Sequence, residues 1–574
     1  MAATTHWLAT ASAQAVLERG GNAFDAAVAG AFVLHVVEPH LNGPGGDMTG
    51  IFATADDPGT PIVLMGQGPA PQRATIEHYR AEGLDLVPGA GALAAAVPGA
   101  VDAWMLLLRD RGTWELADVL AFAIGYARDG HPVLGRVSDT IARVAELFSE
   151  HWPSSLELWM PSGRPPVAGE IVRNTPLART YARLVESATG ESREARIDAA
   201  RAEWREGFVA QAIGRFIRTP HRHSTGGDHA GVMTADDLAA FSAGFEDAVT
   251  SEFRGHTIAK TGAWGQGPAL LQMLALLDGF DDGRLDPSSA LGAHTILEAE
   301  KLALADRDAY YGDANVPLDY LLSASYAAER RELVTDAASR EFRPGAVPGR
   351  SPFLPPLRIG SAGLGEPTVE LAVSASGEAR GDTCHLDVVD RWGNIVSATP
   401  SGGWLQSSPT IPELGFCLGT RLQMTWLEPG WPSSLTPGKR PRTTLTPTLV
   451  LRDGRAITAL GSPGGDQQDQ WQLLYLLRTI VGGYTPQQAI DAPALHTTSF
   501  PDSFWPRTWE PGGAVVEDRI GNAVIESLEA RGHVVSRAGD WALGRLSAVG
   551  ISPESGALWA AANPRGAQGY AAGR

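Results

Sequence analysis

Gly381-Asp382-Thr383-Cys384-His385-Leu386-Asp387-Val388-Val389-Asp390-Arg391-Trp392-Gly393-Asn394-Ile395-Val396-Ser397-Ala398-Thr399-Pro400-Ser401-Gly402-Gly403 is the stretch on which the reading of this chain turns. Cys384 to Asp390 alternates partly apolar with polar, the period of a half-buried strand. Arg391-Trp392-Gly393-Asn394 carries turn chemistry and Ile395 to Thr399 resumes a strand, so the spacing predicts a hairpin. Ser374, Ser376, Gly377 and Gly381 make a loose approach to it. Thr383 stands at the junction, and two readings are open. It is an ordinary residue between loop and strand, or it cuts its own chain. In the second reading its Oγ attacks the carbonyl of Asp382 and water opens the resulting ester. The new α-amine, with a pKa near about 8, then serves as base for its own hydroxyl.

Asp-Thr-Cys-His-Leu-Asp-Val-Val-Asp-x-x-Gly-Asn-x-Val resembles the processing site of the γ-glutamyltranspeptidase family, self-cleaving N-terminal-nucleophile enzymes. The family's pattern there is T-T-H-x-S-V-V-D-x-x-G-N-A-V. The resemblance implies that Asp382–Thr383 is the cleaved bond and Thr383 the nucleophile. Ser401, eighteen positions on, falls where the family keeps a hydroxyl bonded to that nucleophile. Gly461-Ser462-Pro463-Gly464-Gly465 matches the turn whose glycine N–H groups face the developing oxyanion, giving that role to Gly464 and Gly465. Lys439-Arg440-Pro441-Arg442-Thr443-Thr444 is similar to the family's K-R-P-L-S-S, so Thr443 and Thr444 take its two pocket hydroxyls. Cys384 is a rival nucleophile by chemistry, but it lies one residue late and on the other strand face.

Three substitutions bear on substrate. The segment Val63 to Thr75 puts Gln67 where the family has the arginine that grips the α-carboxylate of the glutamyl donor; a Gln lacks the planar bidentate cation. Arg73 nearby reads as a solvated surface charge. Gly403 replaces the family's Asn. Gln423-Met424-Thr425-Trp426 aligns with Q-M-D-D, whose acidic pair holds the donor's α-ammonium, and Thr425 and Trp426 stand in its place. Glu428 is the nearest acidic substitute. A zwitterionic glutamyl group would lose both charge partners, each worth on the order of 2–5 kcal/mol. Trp404, Trp426 and Trp431 are candidates for lining a less polar donor pocket, or are ordinary core.

The chain has 574 residues, 44% of them hydrophobic, ample for a sizeable core. A net charge of −19 argues against nucleic acid or an anionic membrane surface as partner. Two cysteines, Cys384 and Cys417, make no disulfide framework. No signal-peptide pattern is read at the start, a departure from the secreted members of the family, and the expected location is cytoplasmic.

Along the chain, Trp7–Arg19 has helical spacing ending at Gly20-Gly21. Asn22, with Asp25 three residues on, caps a second helix running to Val37 that is apolar nearly all round. Gly20 to Ala29 and Val36 to Pro39 are similar to the family's opening. Asn42-Gly43-Pro44-Gly45-Gly46-Asp47 lacks the Lys and the helix of a phosphate loop and reads as scaffolding near the site. Helices are expected at Val101–Arg111, Leu116–Asp129, Ala178–Glu186, Ala199–Arg218 and Ala293–Arg307. His221 and His223 lack a second ligand pair and read as a flexible basic loop. Pro344, Pro348, Pro352, Pro355 and Pro356 open a Pro- and Gly-rich segment, the expected tail of a large subunit.

The resemblance runs from Thr5 to Arg565. It implies an α+β fold, an αββα sandwich with two stacked antiparallel sheets between helical layers. It implies a large subunit 1–382, with tail 343–382, and a small subunit 383–574 that together form one structural unit. The expected function is a self-processing amidohydrolase or acyltransferase acting on a small-molecule amide, with a donor that is not a standard γ-glutamyl group. Two alternatives stand: a true γ-glutamyltransferase or glutathione hydrolase, and an unprocessed binding homologue. No cofactor, metal, nucleic acid or membrane is expected, and the processed heterodimer is a candidate to pair with a second copy.

Overall fold

The computed structural model describes residues 1–360, 383–565 and 569–573. Asp382, Gly381 and the Ser374–Gly377 approach, with the rest of the tail after 360, lie outside the described residues. The hairpin lies where its spacing puts it, with strands Leu386–Val389 and Ile395–Ser401. Asp390 locks the turn: its Oδ1 accepts from the N–H groups of Trp392, Gly393 and Asn394 at 2.9, 3.0 and 3.0 Å. Its Oδ2 accepts from Ala23 N at 2.9 Å, so the turn also satisfies the first turn of a helix far away in sequence. That helix, Ala23–Val37, is buried at every position and carries the Asn22/Asp25 capping box.

Around the hairpin a seven-stranded sheet is ordered Tyr570–Ala572, Ala2–Thr4, Leu386–Val389, Ile395–Ser401, Asp47–Ala53, Ile62–Gly66, Gly244–Asp247. A six-stranded sheet runs Leu558–Ala562, Ser547–Ile551, Arg455–Gly461, Thr448–Arg452, His256–Lys260, Val249–Phe253. Every pairing in both is antiparallel. In each, strands from before and after residue 383 are neighbours.

Strand parity sorts the hairpin's residues between two layers. Leu386 and Val388 pack outward against the helices Trp7–Glu18, Ala23–Val37 and Ala100–Arg111. Val389 points the other way, into an intersheet core with Ile51, Leu449, Ala459 and Val549. Beyond the second sheet, Gly267–Leu277, Ala290–Tyr310, Gln468–Leu476 and Asn522–Ala530 form the other helical layer. The fold is therefore the αββα sandwich.

Two expectations are corrected. Ala199–Arg218 is not one helix but parts of two, Arg193–Glu206 and Phe208–Phe216, separated by Gly207 with φ −91° and ψ −141°. The apolar period runs on across the break because Trp204, Val209 and Ile213 all face the same core. The His221 region is not a loose loop. His221–Arg222 pairs with Asp228–His229, and His223 is buried with its ring 4.1 Å from that of His229.

Candidate active site

At one end of the seven-stranded sheet the register builds a row of polar residues. Thr383 bridges Ser401, Ser401 is in register with Asp47, and Met48 is in register with Gly66, so Gln67 falls at the same sheet end. Thr383 Oγ1 lies 3.3 Å from Ser401 Oγ, and both residues are 1% exposed. The sequence motif thus delivers two hydroxyls to one buried point.

Cys384 faces the opposite layer. Its Sγ donates to Glu38 Oε2 at 3.0 Å and accepts from Asn42 Nδ2 at 3.0 Å. Burial, then the Glu38 carboxylate, holds the thiol well above its usual range, the reverse of what a nucleophilic cysteine needs. His385 turns back between the sheets, with Nδ1 3.0 Å from Thr399 Oγ1 and Nε2 2.9 Å from Asp387 Oδ1. Ser547 Oγ donates to Asp387 Oδ2 at 2.9 Å, tying the hairpin to the second sheet.

That contact between sheets brings in the glycine turn. Gly461 ends its strand against the His385 ring, where a Cβ would sit 2.2 Å from Cε1. Ser462-Pro463-Gly464-Gly465 follows directly, and Gly464 and Gly465 adopt φ +122° and +54°. Gln468, its amide nitrogen turned to donate, bonds the carbonyls of Ser462 and Thr444, each at 3.2 Å. Thr443 N donates to Trp264 O at 3.0 Å, and Thr444 Oγ1 is buried without a hydrogen-bond partner among the described residues. Gln468 thus ties the start of the glycine turn to Thr444, while Gly461, one residue before that turn, packs on His385, two residues after Thr383.

The glycine loop before Asp47 lies against this row. A Cβ on Gly46 would be 2.1 Å from Ser401 O, and one on Gly403 would be 2.9 Å from Gly46 N. This backbone-to-backbone packing leaves no room at 403 for the larger side chain of the family pattern. Asp47 is gripped by Arg421 through two bonds of 2.7 and 2.8 Å. Arg421 gave no signal in the sequence because its partner lies 374 positions away.

The residues expected on the donor side are held as follows. Gln67 is fully buried; its Nε2 donates to Gly68 O at 3.1 Å, and its Oε1 has no partner among the described residues. Thr425 Oγ1 donates to Leu422 O at 2.7 Å. Trp426 is buried against Phe353, while Glu428 turns to Arg80 at 3.6 Å. Trp404 packs with Met424 and Phe504 and donates to Leu41 O at 2.8 Å. Trp431 lies against Phe353, ring centroids 5.0 Å apart and tilted by 30°.

Among the described residues, His294, Glu298 and His533 are grouped closely enough to hold a metal. Lys301 and Arg343 already bond the Glu298 carboxylate, and His294 Nδ1 and His533 Nε2 bond one another at 2.9 Å. The donor set is therefore occupied by the protein itself.

The profile of the family described as Gamma-glutamyltranspeptidase matches residues 9–573. The chain belongs to that family. The solved structure called LmbA2991HD superposes with a TM-score of 0.94 at 54% identity, covering 100% of this chain and 98% of the other. The Glutathione hydrolase-like YwrD proenzyme of Bacillus subtilis (strain 168) is 30% identical over 99% of this chain and 97% of its own length. The Oxamate amidohydrolase proenzyme of Klebsiella pneumoniae is 30% identical over 100% of this chain and 98% of its own. No helix among the described residues is long and apolar enough to cross a membrane.

Proposed function

We propose that this member of the γ-glutamyltranspeptidase family is an N-terminal-threonine amide hydrolase or acyltransferase that frees its own nucleophile by cutting Asp382–Thr383. The reading rests on the buried pair of Thr383 Oγ1 and Ser401 Oγ, 3.3 Å apart, with the neighbouring thiol turned to the opposite layer. After the cut, the α-amine of Thr383 takes the proton from its own Oγ as that oxygen attacks the substrate carbonyl. Ser401 orients the attacking hydroxyl, and the N–H groups of Gly464 and Gly465 receive the oxyanion. The amine of the substrate leaves with the proton, and water or an acceptor amine then resolves the acyl-enzyme. The Bacillus subtilis and Klebsiella pneumoniae relatives are both named as proenzymes, the second as an amidohydrolase.

The donor is not a standard γ-glutamyl group. Gln67 carries no charge and turns one N–H to a neighbouring carbonyl, and neither Thr425 nor Trp426 offers a carboxylate. The test is mass spectrometry of the purified chain and of Thr383→Ala. Wild type should yield a fragment starting at Thr383, and the variant a single uncut chain with no amide turnover. A fragment starting at Cys384, or turnover by Thr383→Ala, would refute the assignment.

A further inference from the structure

A guanidinium stands beside the Gln423–Trp426 segment with three of its five N–H donors unmet among the described residues. Arg507 is 1% exposed, and its charge centre lies 3.7 Å above the Trp426 ring. Its Nη1 donates to the carbonyls of Gln423 at 3.2 Å and Thr425 at 3.1 Å, which fixes the head against the two residues flanking Met424. Its Nε and Nη2 meet no hydrogen-bond partner among the described residues. Those two nitrogens form the side-on edge with which a guanidinium takes a carboxylate in two parallel bonds.

The charges around it are already spoken for. Arg307 pairs with Asp466 and with Asp308. Arg442 reaches Ser503 Oγ at 2.7 Å and Asp308 at 3.4 Å, with its Nη1 also unpartnered. Asp502 adds a more distant attraction. Burial, with Arg442 alongside, pushes the Arg507 pKa down to about 9, which leaves it charged at neutral pH. A buried cation with an unanswered edge is unfavourable in the folded protein alone and becomes favourable once an anion occupies that edge.

We propose that Arg507 is the specificity-determining residue of the donor subsite and takes a carboxylate at the end of the acyl group remote from the scissile amide. The inference rests on the acyl-transfer reading above. At the segment where the family pattern has an acidic pair for an ammonium, this chain presents a cation, so the sign of the recognised charge is reversed. The donor is then the monoamide of a dicarboxylic acid without an amino group at that position.

The experiment uses the processed wild-type enzyme and p-nitroanilides in matched sets: monoanilides of the dicarboxylic acids from oxalic to glutaric, neutral acyl isosteres, and ω-amino acyl isosteres. The best dicarboxylic donor should exceed its neutral isostere in kcat/KM on the order of 100-fold, with the ω-amino analogue lowest. Arg507→Met should collapse that ratio to within about 3-fold, mainly through KM, and Arg507→Lys should restore part of it. If Arg507→Met does not fold, wild-type selectivity and competitive inhibition by the free dicarboxylates decide alone. Neutral or ω-amino donors cleaved as well as every dicarboxylic one would overturn the proposal. So would a ratio unchanged in Arg507→Met. If processed enzyme cleaves no amide at all, the acyl-transfer reading has failed. Calorimetric binding of the dicarboxylates against ω-amino acids to wild type and Arg507→Met then judges the site by itself: dicarboxylate-selective binding lost in the variant supports it, and equal or absent binding refutes it.

Discussion

Arg421→Met should unsettle the whole row of residues beside Thr383. The Arg421–Asp47 pair has two bonds of 2.7 and 2.8 Å, and each side chain is 4% exposed. Removing the guanidinium leaves Asp47 buried without its counter-charge, a change that costs about 3–5 kcal/mol. With an unfolding entropy of about 2.1 cal/mol/K per residue, 574 residues give about 1.2 kcal/mol/K, so Tm should fall by about 3–4 °C. Asp47→Ala should lose a similar amount, because Arg421 would keep only the Met424 Sδ contact at 3.6 Å. The double variant removes both charges and should lose less than the two singles combined, with a coupling of at least about 2 kcal/mol. Urea unfolding of the four proteins reads this from midpoints at constant slope. Because Asp47 is in register with Ser401, turnover should fall in the singles. Additive losses, or singles within about 1 kcal/mol of wild type, would refute the reasoning.

Cys384→Ala removes the sulfur between Glu38 and Asn42 and should lower stability by about 1–2 kcal/mol, yet processing by mass spectrometry and amide turnover should persist. Gly461→Ala places a Cβ 2.2 Å from the His385 ring and should abolish processing or lower the unfolding midpoint sharply; a variant matching wild type in both would contradict the packing between sheets. Acid should destabilise the fold early. Burial lowers His35 and His496 from the usual 6.5 to about 3, so they stay neutral while the unfolded chain takes up protons. Stability should therefore be full above about pH 6.5 and fall as pH drops towards 3, by about 1.4 kcal/mol per pH unit for each such histidine. Urea midpoints from pH 7 to 5 check the slope, and His35→Gln should reduce it by one proton.

What was legible in the sequence was local. Asp390 and Gly393-Asn394 write the hairpin turn, Asn22 and Asp25 write the cap, and strand parity already turned Cys384 away from Thr383. Thr383 and Ser401 meet because the hairpin's own register pairs a residue just before its first strand with the last residue of its second. The rest depends on pairings that no window of residues contains. Arg421 meets Asp47 from 374 positions off, and Arg507 sits in a stretch without apolar period, defined only by the carbonyls it caps. The break at Gly207 was hidden because a shared core keeps the hydrophobic spacing in phase on both sides.

The alternation of early and late strands has a consequence for timing. Ala2–Thr4 finds its neighbours in Leu386–Val389 and Tyr570–Ala572, so the first strand of the chain stays unpaired until residue 389 is made and keeps one bare edge until nearly the whole chain has left the ribosome. Scission during synthesis would release two gap-toothed pieces whose bare strand edges invite aggregation. In the proposed maturation, assembly therefore comes first and severance last, with the intact backbone acting as the tether that lets the two pieces find each other.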